Sequence, residues 1–179
     1  AYGSVNTFIA MMTSEVGIEN AGLFFIVGTI FVFISRPFGG RIFDSKGGFW
    51  VILPGGILYL IGLGILVSAQ SLTVLLVASV FYGFGGGLLL PSLMTWMLNV
   101  VTPDRRSGAS ATFYNMLDIG TSSGIILLGS VAGSIGYVNM YYYVIGVMVI
   151  FIAFFMFNHF VLQLSLIHIS EPTRLRRSR

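Results

Sequence analysis

Long apolar stretches alternate with short polar segments along almost the whole chain. A helix that crosses a bilayer needs about 20 mostly apolar residues. Four stretches meet this requirement, at about residues 20–37, 49–69, 72–98 and 138–162. A fifth, at about residues 107–132, is long enough but richer in small and polar residues, and residues 1–12 resemble the end of a further span. The pattern therefore predicts five full membrane spans and part of a sixth.

These spans are predicted to be helices rather than the strands of a barrel. Strands of a membrane barrel alternate between apolar and polar residues over short segments. The stretch GGILYLIGLGILV at residues 55–67 is instead continuously apolar. The expected fold class is therefore all-α, a polytopic transmembrane helical bundle.

The composition agrees with a membrane protein and narrows its chemistry. Charged residues make up 8% of the chain, whereas soluble domains contain about 25%. The absence of cysteine excludes disulfides and thiolate metal sites. No catalytic triad, carboxylate pair or histidine cluster is apparent, and the glycine-rich run YGFGGGLLLP at residues 82–91 lacks the Lys-Ser/Thr of a phosphate-binding loop. We therefore expect no enzyme activity, no cofactor, no metal and no bound nucleotide.

The placement of charge predicts how the chain is oriented in the membrane. Up to residue 163, all basic side chains lie in two alternate connections between spans: Arg36, Arg41, Lys46, Arg105 and Arg106. The connections that face the other way are uncharged or acidic. Because cytoplasmic loops are enriched in Lys and Arg, the basic connections are predicted to be cytoplasmic, in a multi-pass protein of the plasma membrane.

The membrane domain is assigned to residues 1–163, and residues 164–179 are predicted to be a separate tail. Acids and bases balance up to residue 163, so the net charge of +3 comes from the tail and gives no reason to expect a nucleic acid partner. The segment LSLIHISEPTR resembles the conceptual translation of a sequencing adapter, which indicates a non-native tail. A natural basic tail that binds anionic lipid is the alternative. Because the chain starts within an apolar segment and without methionine, it is expected to be a fragment.

The most informative stretch is RPFGGRIFDSKGG at residues 36–48, in which Gly40, Asp44 and Gly47 follow the spacing G-x-x-x-D-x-x-G. It resembles the cytoplasmic loop signature of the major facilitator superfamily, which recurs in a weaker form between the eighth and ninth helices. Ser45, in place of the usual base, suits the weaker copy. The resemblance implies a partial second half of a twelve-helix fold, with helices seven to twelve in residues 1–162. The stretch RRSGASATFYNMLDIGTSSG at residues 105–124 resembles helix eleven of the branch of drug:proton antiporter-like exporters.

The resemblance implies secondary active transport of a small molecule by alternating access, in the form of proton-coupled efflux. The expected partners are a small-molecule substrate, protons, the lipid bilayer and the missing N-terminal half of the same transporter. The alternative is a transporter-like membrane sensor or scaffold that moves nothing.

The resemblance also implies a cytoplasmic gate motif, formed by Arg36, Gly40, Arg41, Asp44 and Gly47. Asp44 is expected to contact the start of the helix near Thr102, where Thr102 can cap and Pro103 suits the first turn. The alternative is a surface ion pair between Asp44 and Arg41, which is worth little.

Asp118 is the strongest single candidate for a functional residue. It lies about eleven residues into its span and thus near the middle of the bilayer. A carboxylate at that depth must face water or the protein interior, or be protonated. Tyr114 and Asn115 lie in the same span, and Tyr2 and Asn6 share a face of the first helix. These five residues are the candidates for substrate contact or proton coupling, and a structural role in hydrogen bonding between helices is the alternative.

Small residues four apart predict close helix packing. The pairs are Gly83 with Gly87 and Gly120 with Gly124, and Pro91 is expected to bend its span. Such a helix could rock during transport or be packed statically. The aromatic run YYYV at residues 141–144 is predicted to anchor a span end at the membrane interface.

Overall fold

The computed structural model describes the backbone of residues 2–175 and the side chains of residues 2–161. Within this part of the chain, helices follow one another without any strand. They are α1 (Tyr2–Glu15), α2 (Gly22–Lys46), α3 (Phe49–Val67), α4 (Leu72–Val100), α5 (Arg106–Ile135) and α6 (Tyr137–Leu175), with a single 3-10 turn at Pro103–Arg105 before α5. The last five helices are each long and apolar enough to cross a membrane. The all-α fold and the five spans are therefore confirmed.

α4 is the central helix, because its glycines allow it to approach two neighbours at once. A Cβ atom on Gly83 would lie 2.8 Å from the carbonyl carbon of Gly28 in α2. On the other side, a Cβ atom on Gly85 would lie 2.5 Å from the backbone nitrogen of Tyr59 in α3. Only glycine permits backbones to come this close. α2, α3 and α4 therefore form a tightly packed group.

α1 and α6 complete the apolar core against α3 and α4. The side chains with no more than 1% exposure come largely from these four helices, and they include Val5, Ile9, Met12, Ile52, Leu63, Leu66, Leu75, Met140, Tyr141 and Val144. Phe24 of α2 is also fully buried and packs on Tyr82, with ring centroids 5.4 Å apart.

α5 lies at the edge of the bundle. Ala132 is the one buried residue of this helix, whereas Met116, Ile119, Ile126 and Leu127 are each more than 60% exposed. α5 contacts α1, α6 and the end of α4. The described chain therefore leaves most of α5 uncovered.

The structure corrects the predicted end of the second span. The segment from residue 36 onwards is helical as far as Lys46, so the connection to α3 is only Gly47 and Gly48. In this extended part of α2, Gly39 packs against α4, where a Cβ atom would lie 2.9 Å from the Leu88 side chain. The helix ends at Gly47, whose φ of 88° suits glycine and whose N–H donates to the Phe43 carbonyl at 2.9 Å.

The start of α5 differs in detail from the prediction. Pro103 does occupy the first turn after Thr102. The Thr102 side chain, however, makes no capping hydrogen bond. Its backbone carbonyl instead accepts from the Arg105 N–H at 3.0 Å, so the 3-10 turn satisfies this end without a side-chain cap.

Candidate functional site

The polar side of α1 meets α4 near the middle of the bundle. The Tyr82 hydroxyl donates to Asn6 Oδ1 at 3.5 Å, a long hydrogen bond. Tyr2 lies one helical turn before Asn6 and therefore on the same face. Tyr82 is about 15 Å along α4 from Leu72, which places this contact near mid-membrane depth.

Three buried tyrosines lie at or beside the contact between Tyr82 and Asn6. Tyr59 and Tyr82 pack with ring centroids 4.8 Å apart, and the Tyr141 hydroxyl donates to the Ser4 carbonyl at 3.4 Å. The Tyr59 hydroxyl is buried and has no partner of acceptable hydrogen-bond geometry among the described residues. The predicted interfacial role of residues 141–144 is wrong for Tyr141, because this residue is fully buried against α1.

Tyr2 lies between two clefts. One, of about 150 Å³, is almost entirely apolar and is lined by Tyr59 and Gly86 together with side chains of α6. The other, of about 210 Å³, lies between α1 and α5 beside Gly120 and Thr121. Tyr2 is 46% exposed and forms a wall shared by both clefts.

Tyr114, Asn115 and Asp118 lie on one face of α5 but have different surroundings. The Tyr114 hydroxyl donates to Met94 Sδ at 3.4 Å and so ties α5 to α4. Asp118 lies one turn further along and Asn115 three residues before it, and both are exposed. Neither has a hydrogen bond or an ion pair among the side chains of residues 2–161. The structure therefore does not join Asp118 to Tyr2 or Asn6 by any hydrogen bond.

The predicted glycine pairs have different surroundings. Gly87 faces α2, where a Cβ atom would lie 2.8 Å from the Val32 carbonyl oxygen. By contrast, a Cβ atom on Gly120 or Gly124 would meet nothing within 4 Å. The packing expected of this second pair is absent from the described chain, because α1 makes its close approach to α5 through Gly3 at Thr121.

Pro91 lies inside α4 without ending it. The proline has no N–H to donate to the preceding turn. The Thr95 hydroxyl donates to the Pro91 carbonyl at 2.9 Å, one turn further along. α4 nevertheless remains a single helix from Leu72 to Val100.

Four residues of the predicted gate motif lie in the second half of α2, and the fifth, Gly47, follows its last residue. Arg41 and Asp44 are both exposed. They form no ion pair with each other in the described part of the chain, so the surface ion pair given as the alternative is not observed. Arg36 lies over the Phe33 ring at 5.5 Å from its centroid. A Cβ atom on Gly40 would meet nothing within 4 Å, so this glycine makes no close contact with a neighbouring helix. No hydrogen bond joins Asp44 to the start of α5 within the described residues.

A sequence model of the Major Facilitator Superfamily matches residues 1–174 of this chain. The chain belongs to this superfamily. It is therefore a multi-pass membrane protein of a transporter family, as its five apolar helices also indicate. The match includes most of residues 164–179, and the non-native origin of that tail stays a prediction.

Three curated relatives are named as an antiporter flippase, a multidrug resistance protein and an export protein. The proton-coupled antiporter flippase LtaA of Staphylococcus saprophyticus is 28% identical over 139 residues, which are 76% of this chain and 35% of the relative. Multidrug resistance protein 3 of Bacillus subtilis is 28% identical over 111 residues, 62% of this chain and 22% of the relative. The staphylopine export protein of Staphylococcus aureus is 26% identical over 146 residues, 78% of this chain and 36% of the relative. The chain thus spans about a third or less of the length of these relatives.

Sequence reasoning missed two features of this region. The first is the buried group of Tyr59, Tyr82 and Tyr141, whose signal was a tyrosine inside each of three apolar spans. The second is Glu15, whose Oε2 accepts from the Tyr137 N–H at 2.7 Å. A carboxylate is stabilised at a helix N-terminus, but the pairing of Glu15 with α6 spans 122 residues and has no local signal.

The described side chains offer no group of three or more metal-ligating residues. The polar groups brought together are hydroxyls, an amide and backbone carbonyls. Such groups bind a ligand by hydrogen bonds rather than by covalent chemistry.

Proposed function

We propose that this chain forms part of a secondary active transporter that exports a small molecule by alternating access in exchange for protons. In this proposal the polar face of α5 and the face of α1 with Tyr2 and Asn6 line the transport pathway. The basic ends of the spans are cytoplasmic, and the remaining wall of the pathway belongs to the other half of the same transporter.

The observation that carries the proposal is the position of Asp118. It lies about 18 Å along α5 from Arg106, on an apolar helix, and it is exposed on the surface of the described chain. A carboxylate at the bilayer centre costs at least about 2.5–3.5 kcal/mol if it faces lipid. The face of α5 that contains Asp118 is therefore expected to be covered by protein or to line a water-filled pathway.

The neighbourhood of Tyr2 supports the same interpretation. Its two clefts lie on either side of α1, one apolar and one between α1 and α5. A predominantly apolar cavity with a few hydroxyl and amide groups is typical of sites for small amphipathic molecules. The names of two relatives also favour proton-coupled export, since one is a proton-coupled antiporter flippase and another is a staphylopine export protein.

Substitution Asp118→Asn in the intact transporter tests the proposal. The change keeps the shape of the side chain but removes the group that binds and releases a proton. We expect substrate-driven proton movement in everted vesicles to fall at least about tenfold, as measured with an internal pH-sensitive dye. Asp104→Asn, the same chemical change in the connection before α5, is the matched control and should transport normally. Undiminished coupling in Asp118→Asn would remove this residue from the mechanism.

A further inference from the structure

A second cleft region lies at the opposite end of the bundle from Glu15. There the α2–α3 turn and the ends of α3, α4 and α6 surround a cleft of about 310 Å³. Its polar and interfacial lining consists of Lys46, Trp50, Trp96, Asn158 and His159. Lys46 is the single lysine of the sequence, and Trp50 and Trp96 are its two tryptophans.

Aromatic contacts hold the walls of this cleft in place. The His159 ring stacks on Phe49 with centroids 3.8 Å apart and planes 15° apart. Phe155 lies beside both walls, with its centroid 5.9 Å from that of Phe49 and 5.7 Å from that of Trp96. Aromatic contacts between α3, α4 and α6 therefore hold the walls of the cleft, while Lys46, Trp50 and Trp96 are exposed at its mouth.

The depth of the cleft matches the membrane interface. Trp50 is the second residue of α3, and Trp96 lies four residues before the end of α4. His159 is about 33 Å along α6 from Tyr137, and the hydrocarbon core is about 30 Å thick. Tryptophan is enriched at this level of a membrane. The cleft therefore opens among lipid headgroups, at the end of the bundle that contains the basic residues.

We propose that this cleft binds the phosphate group of an anionic phospholipid. Lys46 supplies the positive charge, and His159 and the indole N–H groups are further hydrogen-bond donors to phosphate oxygens. Asp44, two residues before Lys46, does not line the cleft. A lipid is favoured over free phosphate because the tryptophans and Phe155 add an apolar wall that a glycerol and acyl chain can cover.

The two tryptophans make the cleft directly observable. The full chain is placed in phosphatidylcholine nanodiscs, and quenching of its tryptophan emission by brominated phosphatidylglycerol is compared with quenching by brominated phosphatidylcholine. The wild-type chain should prefer phosphatidylglycerol several-fold. Lys46→Ala should lower this preference about fivefold, whereas Lys46→Arg should retain it. Arg41→Ala removes an equal charge from α2 outside the cleft and should leave the preference close to that of the wild type.

Three outcomes would overturn the proposal. The first is equal quenching of the wild-type chain by the two lipids. The second is an equal loss in Arg41→Ala and Lys46→Ala, which would mean general attraction of anionic lipid to basic residues. The third is a matching change in emission on adding inorganic phosphate alone, which would assign the site to free phosphate. The basic residues after residue 163 are common to all variants and cancel in the comparison.

Discussion

α4 and α5 look alike in sequence but behave differently in the structure. They contain 29 and 30 residues, both are apolar, and both have glycines four residues apart. α4 buries ten residues and brings its glycines against the backbones of α2 and α3. α5 buries one residue, and Gly120 and Gly124 have no neighbour within 4 Å of an added Cβ atom among the described residues. Two small residues four positions apart therefore allow close helix packing. They do not determine which neighbouring helix, if any, packs against them.

The difference suggests a division of roles between the two helices. α4 stabilises the bundle, because its contacts are backbone-to-backbone and leave no room for a side chain. α5 presents Tyr114, Asn115 and Asp118 on a surface that is bound to α4 mainly through a side-chain hydrogen bond. In the proposed transporter this surface is free to face a substrate pathway, whereas the corresponding surface of α4 is occupied.

The largest effect is expected from Gly83→Ala in α4. The new methyl group would overlap the Gly28 backbone, which has no flexible side chain to move aside, so α2 and α4 must separate. Overpacking of this kind costs about 1–3 kcal/mol of the free energy of unfolding, which exceeds the gain of up to about 1 kcal/mol in helix propensity. Thermal unfolding of the purified chain in detergent should show a clear loss of stability.

Gly124→Ala is the matched control on α5. No atom of the described residues lies within 4 Å of the added methyl group, so the change should be neutral or stabilise the helix by up to about 1 kcal/mol. Equal destabilisation by the two substitutions would mean that α5 is packed as tightly as α4, contrary to the comparison.

A smaller but more specific effect is expected from cysteine labelling of α5 in the intact transporter. The sequence has no cysteine, so a single introduced thiol in this part of the transporter can be followed without background from it. Ser122→Cys lies one turn beyond Asp118, and Leu127→Cys lies about 140° further around the helix. A thiol reacts as its thiolate, which forms in water and not in lipid. A membrane-impermeant maleimide should therefore label Ser122→Cys at least about tenfold faster than Leu127→Cys.

Ser79→Cys on α4 provides the reference for a packed position, since Ser79 is fully buried. It should remain unlabelled as long as the protein is folded. Faster labelling at Leu127→Cys than at Ser122→Cys would place water on the other side of α5 and would contradict the proposed pathway.

The number and position of the spans could be predicted because they depend on the local run of apolar residues. The end of α2 could not, because the stretch at residues 36–46 contains proline and glycines that usually end a helix. In this part of α2, Gly39 packs against Leu88, a residue far away in sequence, and such a contact has no local signal. The lack of packing at Gly120 and Gly124 could not be predicted for the same reason, since their surroundings depend on the position of α1, which is far away in sequence.

The candidate site was predictable only where one residue was unusual in its own span. Asp118 stands out because an ionisable group in an apolar helix is rare. Tyr141 does not stand out, since tyrosine is common at the ends of spans, and Tyr59 and Tyr82 have no local signal that they meet each other. Only the packing of α1, α3, α4 and α6 brings these tyrosines together beside Asn6 and Ser4.

The smallest effect is expected at the C-terminal end of α1, where a carboxylate rather than a glycine contact joins two helices. Glu15→Gln keeps the size of the side chain but removes its charge from the N-terminus of α6. A negative charge at an exposed helix N-terminus contributes about 0.3–1 kcal/mol. The variant should therefore lose that much stability in thermal unfolding at low ionic strength, and the loss should shrink as salt is added.

Glu19→Gln separates this contact from a general effect of acidic charge. Glu19 is exposed in the same connection and has no hydrogen bond among the described side chains, so its substitution should change stability by less than that of Glu15. If the two variants are equally stable, the contact between Glu15 and the Tyr137 N–H does not stabilise the bundle. α1 would then be held to α5 and α6 by apolar packing and by the hydrogen bond from Tyr141 to the Ser4 carbonyl.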